Sequence, residues 1–294
     1  MEYAIETENL TKRYSKRIEA VKNLNLKVPF SSVYIFIGRN GAGKTTSIRM
    51  MMGLLKRTSG NLKILGFDPE KNPVELRKKV GYVAEEQKMY DWMSVKEIIN
   101  FCKPFYPQWD EELEKKLIDI FELKYEQKLK HLSRGAYKKV ALLLALCHKP
   151  EIIILDDPFR GLDPVSRKEF LEGVIFLLKE ERKTIFFSTH IIGEVEEIGD
   201  TAGIIEKGKL LLSERIEELK KKFKKIEVEF KSNISEVDLP EIVKTEKEKK
   251  KLTIFVKNFN NTFINKLRSY EIEKINIFDL SLEQVFMLLA GKNK

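Results

Sequence analysis

Gly38-Arg39-Asn40-Gly41-Ala42-Gly43-Lys44-Thr45 fits the phosphate-binding pattern G-x-x-x-x-G-K-[ST], and the residues on either side of it decide the fold. Upstream, Val33-Tyr34-Ile35-Phe36-Ile37 reads as a buried strand running straight into the loop; downstream, Thr45 to Leu54 has helix-forming composition. Strand, glycine-rich loop, helix is the context that gives the pattern its chemistry. Glycines at 38, 41 and 43 permit backbone angles that a Cβ resists, so the N–H groups from Gly38 to Thr46 can curl round phosphate oxygens at a positive helix end. Lys44 then reaches the β- and γ-phosphates, and Thr45 offers its hydroxyl to Mg²⁺, a hard ion that takes oxygen ligands. The expected ligands are therefore a nucleoside triphosphate and Mg²⁺.

A second strand, Ile152-Ile153-Ile154-Leu155, is apolar throughout, as a strand covered on both faces should be, and it ends in Asp156-Asp157. Parallel sheets present their ligands at such strand ends. Asp156 is placed to hold Mg²⁺, and Asp157 to orient or activate the attacking water. Phe186-Phe187-Ser188-Thr189-His190 is another buried strand with a polar end.

In this order the signals resemble the nucleotide-binding subunits of ABC transporters, over about residues 3 to 212. The resemblance implies an α/β fold: a P-loop NTPase of ABC type with a helical subdomain and a small C-terminal α+β appendage. It implies that Tyr14 stacks on adenine, that Leu132-Ser133-Arg134-Gly135-Ala136 stands for the family's L-S-G-G-Q signature, and that Asp163 of Gly161-Leu162-Asp163-Pro164 takes part in communication between paired sites. It also makes His190 the switch histidine that contacts the γ-phosphate. In the family, the signature of one subunit, here Ser133 and Gly135, closes over the nucleotide held by another, so a complete site requires two subunits.

Four departures bear on activity. Arg134 and Ala136 replace a glycine and the glutamine of the signature, and Asp157 stands where the family usually has glutamate, one methylene longer. A reacting group misplaced by about 1 Å can cost on the order of a hundredfold in rate, so slow but real hydrolysis is expected. The family's Q-loop glutamine, a sensor of γ-phosphate and Mg²⁺, aligns with Glu85; Gln87 lies two residues later, and either can serve.

Composition places the chain among globular proteins. Its 294 residues hold one large core and a small extra domain, divided here at 1–215 and 216–294, with the helical subdomain at about 88–147. Cys102 and Cys147 are too few for a disulfide framework, and their spacing suits no zinc site. No apolar run reaches the roughly 18 residues of a membrane span, and no signal-peptide pattern opens the chain. The expected place is cytoplasmic, peripheral at the inner face of the cell membrane, with separate transmembrane permease subunits and a second ATPase subunit, identical or different, as partners. The net charge of +9 is spread over many lysines, so a solvated surface is expected rather than a nucleic-acid site.

Between the motifs, Ser94-Val95-Lys96-Glu97 is a capping box opening one helix, and Asp110 caps another through Leu113, Leu117, Ile118 and Phe121. The aromatics Tyr90, Trp92, Phe101, Phe105, Tyr106 and Trp109 gather there, as a subdomain core or a docking surface. Beyond Leu212, Lys220 to Lys225 is a charged helix end or linker, Ile226 to Phe230 and Leu252 to Val256 are strands separated by a charged turn at Lys247 to Lys251, and Leu282 to Leu289 is helical. The favoured function is export driven by ATP. The alternatives are a soluble ABC ATPase acting on nucleic acid or the ribosome, and a nucleotide-gated module with very slow turnover.

Overall fold

The computed structural model describes residues 2–180, 183–230, 237–248, 251–270 and 272–290. In chain order the first elements are β1 (Tyr3–Arg13), β2 (Glu19–Pro29), β3 (Val33–Ile37), α1 (Lys44–Met51), β4 (Ser59–Ile64), α2 (Pro73–Lys79), β5 (Val80–Val83), α3 (Val95–Cys102), α4 (Glu111–Ile120), α5 (Arg134–Leu146), β6 (Ile152–Asp156), α6 (Pro164–Glu180), β7 (Thr184–Thr189), β8 (Thr201–Glu206) and β9 (Lys209–Arg215). They form a six-stranded sheet in the order β5-β6-β7-β3-β8-β9 and a three-stranded sheet in the order β2-β1-β4. The pairs β5/β6, β6/β7, β7/β3 and β3/β8 are parallel, whereas β1 pairs antiparallel with both its neighbours.

Side-chain alternation explains the layers. Tyr34, Phe36, Ile152, Ile154 and Phe186 point to one face of the large sheet, where they share a core with Ile48 and Met51 of α1 and with Ala4, Val21 and Leu24 of the small sheet. On the other face Phe159 packs against Phe187 and edge-on against Phe170 of α6. As strands covered on both faces, β3, β6 and β7 are buried at every position, and β6 and β7 end in the polar groups of Asp156, Ser188 and Thr189.

The helix behind the loop is shorter than the span expected from Thr45 to Leu54. It stops at Met51 because Gly53 adopts a left-handed conformation (φ 64°) and turns the chain back, its N–H donating to the Met50 carbonyl. The capping box at Ser94 is complete: Ser94 Oγ accepts from the Glu97 N–H, and Glu97 accepts from the Ser94 N–H. Asp110 caps α4 through the Leu113 N–H. The signature stretch is itself the cap and first turn of α5, which starts at Arg134.

The chain divides into two compact units, Met1–Ser213 and Glu214–Lys294. The second contains α7 (Ile216–Lys222), β10 (Lys224–Phe230), β11 (Ile242–Glu248), β12 (Lys251–Val256), α8 (Asn261–Arg268), β13 (Ile272–Asp279) and α9 (Leu282–Ala290). Its antiparallel sheet runs β11-β12-β10-β13, and Ile226, Val228, Ile254 and Val256 bury one face with Phe263 and Leu267 of α8. The charged turn expected from Lys247 to Lys251 includes residues 249 and 250, which lie outside the described residues.

Candidate functional site

The parallel strands bring the sequence motifs together at one edge of the large sheet. In the loop, Gly41 (φ 79°) and Gly43 (φ 111°) both take left-handed angles; a Cβ on Gly43 would lie 2.6 Å from the Ala20 carbonyl oxygen, so only glycine lets the loop run this close to β2. Lys44 is buried and donates from Nζ to the carbonyls of Gly38 (2.7 Å) and Arg39 (3.3 Å). Burial lowers its pKa, against the opposing pull of Asp157 and Asp156.

Thr45 lies at the junction of three motifs. Its Oγ1 is 3.1 Å from Asp156 Oδ1 and 3.1 Å from Glu85 Oε2, and its single proton serves one of them at a time. Asp156 also accepts from Ser188 Oγ at 3.0 Å, and that partner follows from register: β6 and β7 pair Asp156 directly with Ser188. Burial nonetheless raises the Asp156 carboxyl above the usual carboxylate range.

Asp157 has its backbone in the left-handed region (φ 42°) and its N–H bonded to the Ser188 carbonyl and hydroxyl. Its Oδ2 is 2.7 Å from His190 Nδ1. Two carboxylate oxygens here, Asp156 Oδ2 and Asp157 Oδ1, are buried without a hydrogen-bond partner among the described residues. Buried orphan acceptors call for a cation or water. With a hydroxyl and hard oxygens converging beside a glycine loop, this donor set suits Mg²⁺.

Glu85 rather than Gln87 reaches this cluster. Gln87 Oε1 accepts from the Ala84 N–H at 3.1 Å and closes its own turn, while Glu85 meets Thr45 and forms an ion pair with Arg160. Asn40, Gly41, Gly43, Lys44, Thr45, Thr46, Glu85, Asp157 and Arg160 line one cleft of about 290 Å³.

Tyr14 is not on that lining. It sits exposed in the turn between β1 and β2, under the ammonium of Lys12 at 5.3 Å from its ring. Ser133 Oγ caps α5 by accepting from the Ala136 N–H, and Asp163 caps α6 by accepting from the Ser166 N–H and hydroxyl. Those bonds hold the Asp163 carboxyl below the usual range. Gly135 sits where the two capped helix starts cross: a Cβ there would lie 2.5 Å from Ser166 Oγ.

Sequence reading did not single out Ser188, Arg160 or Lys138. Lys138, one helical turn beyond Arg134, donates to the carbonyls of Ala84 and Glu85, each at 2.7 Å, and so ties the signature helix to the Glu85 segment. Burial lowers its pKa to about 8. A hydroxyl breaking the apolar run of β7 was the one visible hint of Ser188.

Comparison with known proteins identifies the family and the fold. The family model described as "ABC transporter" matches residues 21–160. The bacitracin transport ATP-binding protein BcrA of Bacillus licheniformis is 37% identical over 76% of this chain and 74% of its own. Among solved structures, cbiO1 from Clostridium perfringens, part of the ABC transporter complex cbiONQ, superposes with a TM-score of 0.65 at 25% identity over 74% of this chain and 91% of its own. MJ0796, a bacterial ABC transporter cassette solved as a dimer, shares the fold with a TM-score of 0.64 at 24% identity, over 72% of this chain and 98% of its own. The chain belongs to the ATP-binding subunits of ABC transporters.

Proposed function

We propose that this chain is the ATPase of an export system: two subunits close over ATP, hydrolysis lets them part, and separate transmembrane permease subunits convert the motion into transport. The observation that carries the reading is the pair of buried, unpartnered oxygens on Asp156 and Asp157 beside Thr45 and the glycine loop. Loop N–H groups and Lys44 hold the phosphates; Thr45, Asp156 and Glu85 hold Mg²⁺. Bound there, the ion neutralises phosphate charge. Asp157 accepts the proton of the attacking water, and His190, fixed to its Oδ2, orients it and meets the γ-phosphate. Tyr14 stacks on adenine from the hairpin tip.

Ser133, Gly135 and Asp163 serve the opposite site in the pair, each at a capped helix start that attracts anions. The second subunit is a copy of this chain or a different one. Because Asp157 is short, turnover is slow. Relatives named for bacitracin transport favour export as the direction. Among the described residues no helix is long and apolar enough to cross a membrane, which fits a subunit held at the inner face by its partners.

Asp157→Asn tests the reading. It should abolish phosphate release while leaving ATP affinity within about twofold, because the amide keeps the shape but accepts no proton. Wild-type release from this variant would refute the assignment.

A further inference from the structure

The cleft carries an ion pair whose cation, Arg160, has no part in the hydrolytic roles. Glu85 and Arg160 are salt-bridged, the guanidinium half exposed and the carboxylate mostly covered. Arg160 rides on the turn that follows Asp157, its N–H donating to the Asp157 carbonyl. It lines the cleft of the phosphate loop, and it also lines a neighbouring groove with Ser133, Arg134 and Gly161. Glu85 is pulled from two sides, by Arg160 and by the Thr45 hydroxyl, which lies against Asp156.

Three carboxylates, Glu85, Asp156 and Asp157, therefore crowd a site that must accept a polyanion. Lys44 faces backbone carbonyls instead of a carboxylate. Arg160 is the cation that neutralises Glu85, and its exposed side chain has room to swing without disturbing the core.

We propose that Arg160 is a nucleotide-binding residue that exchanges partners: it pairs with Glu85 while the cleft is free of metal, and it transfers to the terminal phosphate oxygens of the nucleotide when Glu85 is drawn to the metal side of Thr45. The exchange keeps charge balanced at each stage, since the carboxylate that leaves the guanidinium gains a cation and the guanidinium gains an anion of matching, fork-shaped geometry. The inference rests on the reading of the cleft as an ATP site.

A double-mutant cycle on Arg160→Gln and Glu85→Gln tests it, read as the affinity of the full chain for a non-hydrolysable ATP analogue with and without Mg²⁺. Without Mg²⁺, Arg160→Gln alone should change affinity less than about threefold, because the guanidinium is already engaged; on the Glu85→Gln background the same change should cost about tenfold, since a freed charge-assisted contact is lost. With Mg²⁺, Arg160→Gln alone should also cost about tenfold, the ion having done what the Glu85 substitution does. ADP, which lacks the terminal phosphate, should show less than about twofold change throughout. An equal effect of Arg160→Gln in all these conditions would overturn the exchange, because fixed charges act additively. Lys44→Ala separates the two readings: wild-type affinity in that variant refutes the ATP site itself, whereas its loss leaves the cycle to decide the exchange.

Discussion

At Gly135 the signature and the start of α6 meet with no room for a methyl group. A Cβ would lie 2.5 Å from Ser166 Oγ and 2.8 Å from Ser166 Cβ, and that hydroxyl already donates to Asp163. Gly135→Ala should destabilise the protein by about 1–3 kcal/mol, since the clash displaces a helix cap as well as a side chain. Denaturant unfolding of Gly135→Ala, Ser166→Gly and the double variant checks this: the double should be more stable than the sum of the singles predicts. Additive losses would mean that the two residues do not press on each other. The glycine of the altered signature thus has a packing reason to exist beside any role toward nucleotide.

Legibility at this scale followed spacing. Gly38 to Thr45, Asp156 and Asp157 could be read because strand ends and a contiguous pattern carry them. Glu85 and Gln87 could not be separated, because which of two nearby polar side chains turns inward depends on contacts from Thr45, Arg160 and Ala84. Ser188 and Lys138 act through register and through one helical turn, relations that appear only when strands and helices are set side by side.

Among the elements, α5 and the segment after it show how burial sets a titration. His148 follows the helix, is 1% exposed, stacks on Tyr106 at 4.0 Å between ring centroids, and has no hydrogen-bond partner on either ring nitrogen among the described residues. Burial pushes its pKa down to about 4, only partly offset by nearby backbone. With the folded pKa below the unfolded one, the unfolded chain takes up the proton first as pH falls. The stabilising difference is full above 6.5 and is lost as pH drops through about 4. Between pH 7 and pH 4 the wild type should lose on the order of 2–3 kcal/mol more stability than His148→Phe, which keeps the stack and cannot titrate. Urea titrations of both proteins across that range measure it; parallel curves would show that the ring carries no such linkage. Some strands and helices were visible in the sequence, since alternation marked β10 and caps marked α3 and α4, whereas β11, β13 and α8 were not singled out. Where a span differed, as in α1, a left-handed glycine overrode helical composition.

Over the whole molecule, the aromatic group near α3 divides in two. Tyr106 and Trp109 pack inward, Trp109 donating from its ring N–H to Glu114, so they belong to a local core. Tyr90, Trp92, Phe101 and Phe105 form a continuous exposed row, 52%, 64%, 42% and 65% accessible, each ring in contact with another. An exposed apolar row of this kind is a candidate docking surface, and the transmembrane subunits of the proposed export system are the partners to test on it. Trp92→Ala with Phe105→Ala should leave thermal stability unchanged within a few degrees, since neither side chain is buried, while abolishing co-purification with the permease subunits. Retained co-purification would send the search for the docking face elsewhere.

The small sheet of the second unit has a guarded margin. Along β11, an outer strand among the described residues, Lys244, Glu246, Lys247 and Glu248 are all exposed. A stray strand seeking to extend the sheet on that side would have to bring its own backbone against alternating charges and strip them of water. Crowding many copies of this ATPase together therefore carries little danger of amyloid-like stitching through that margin.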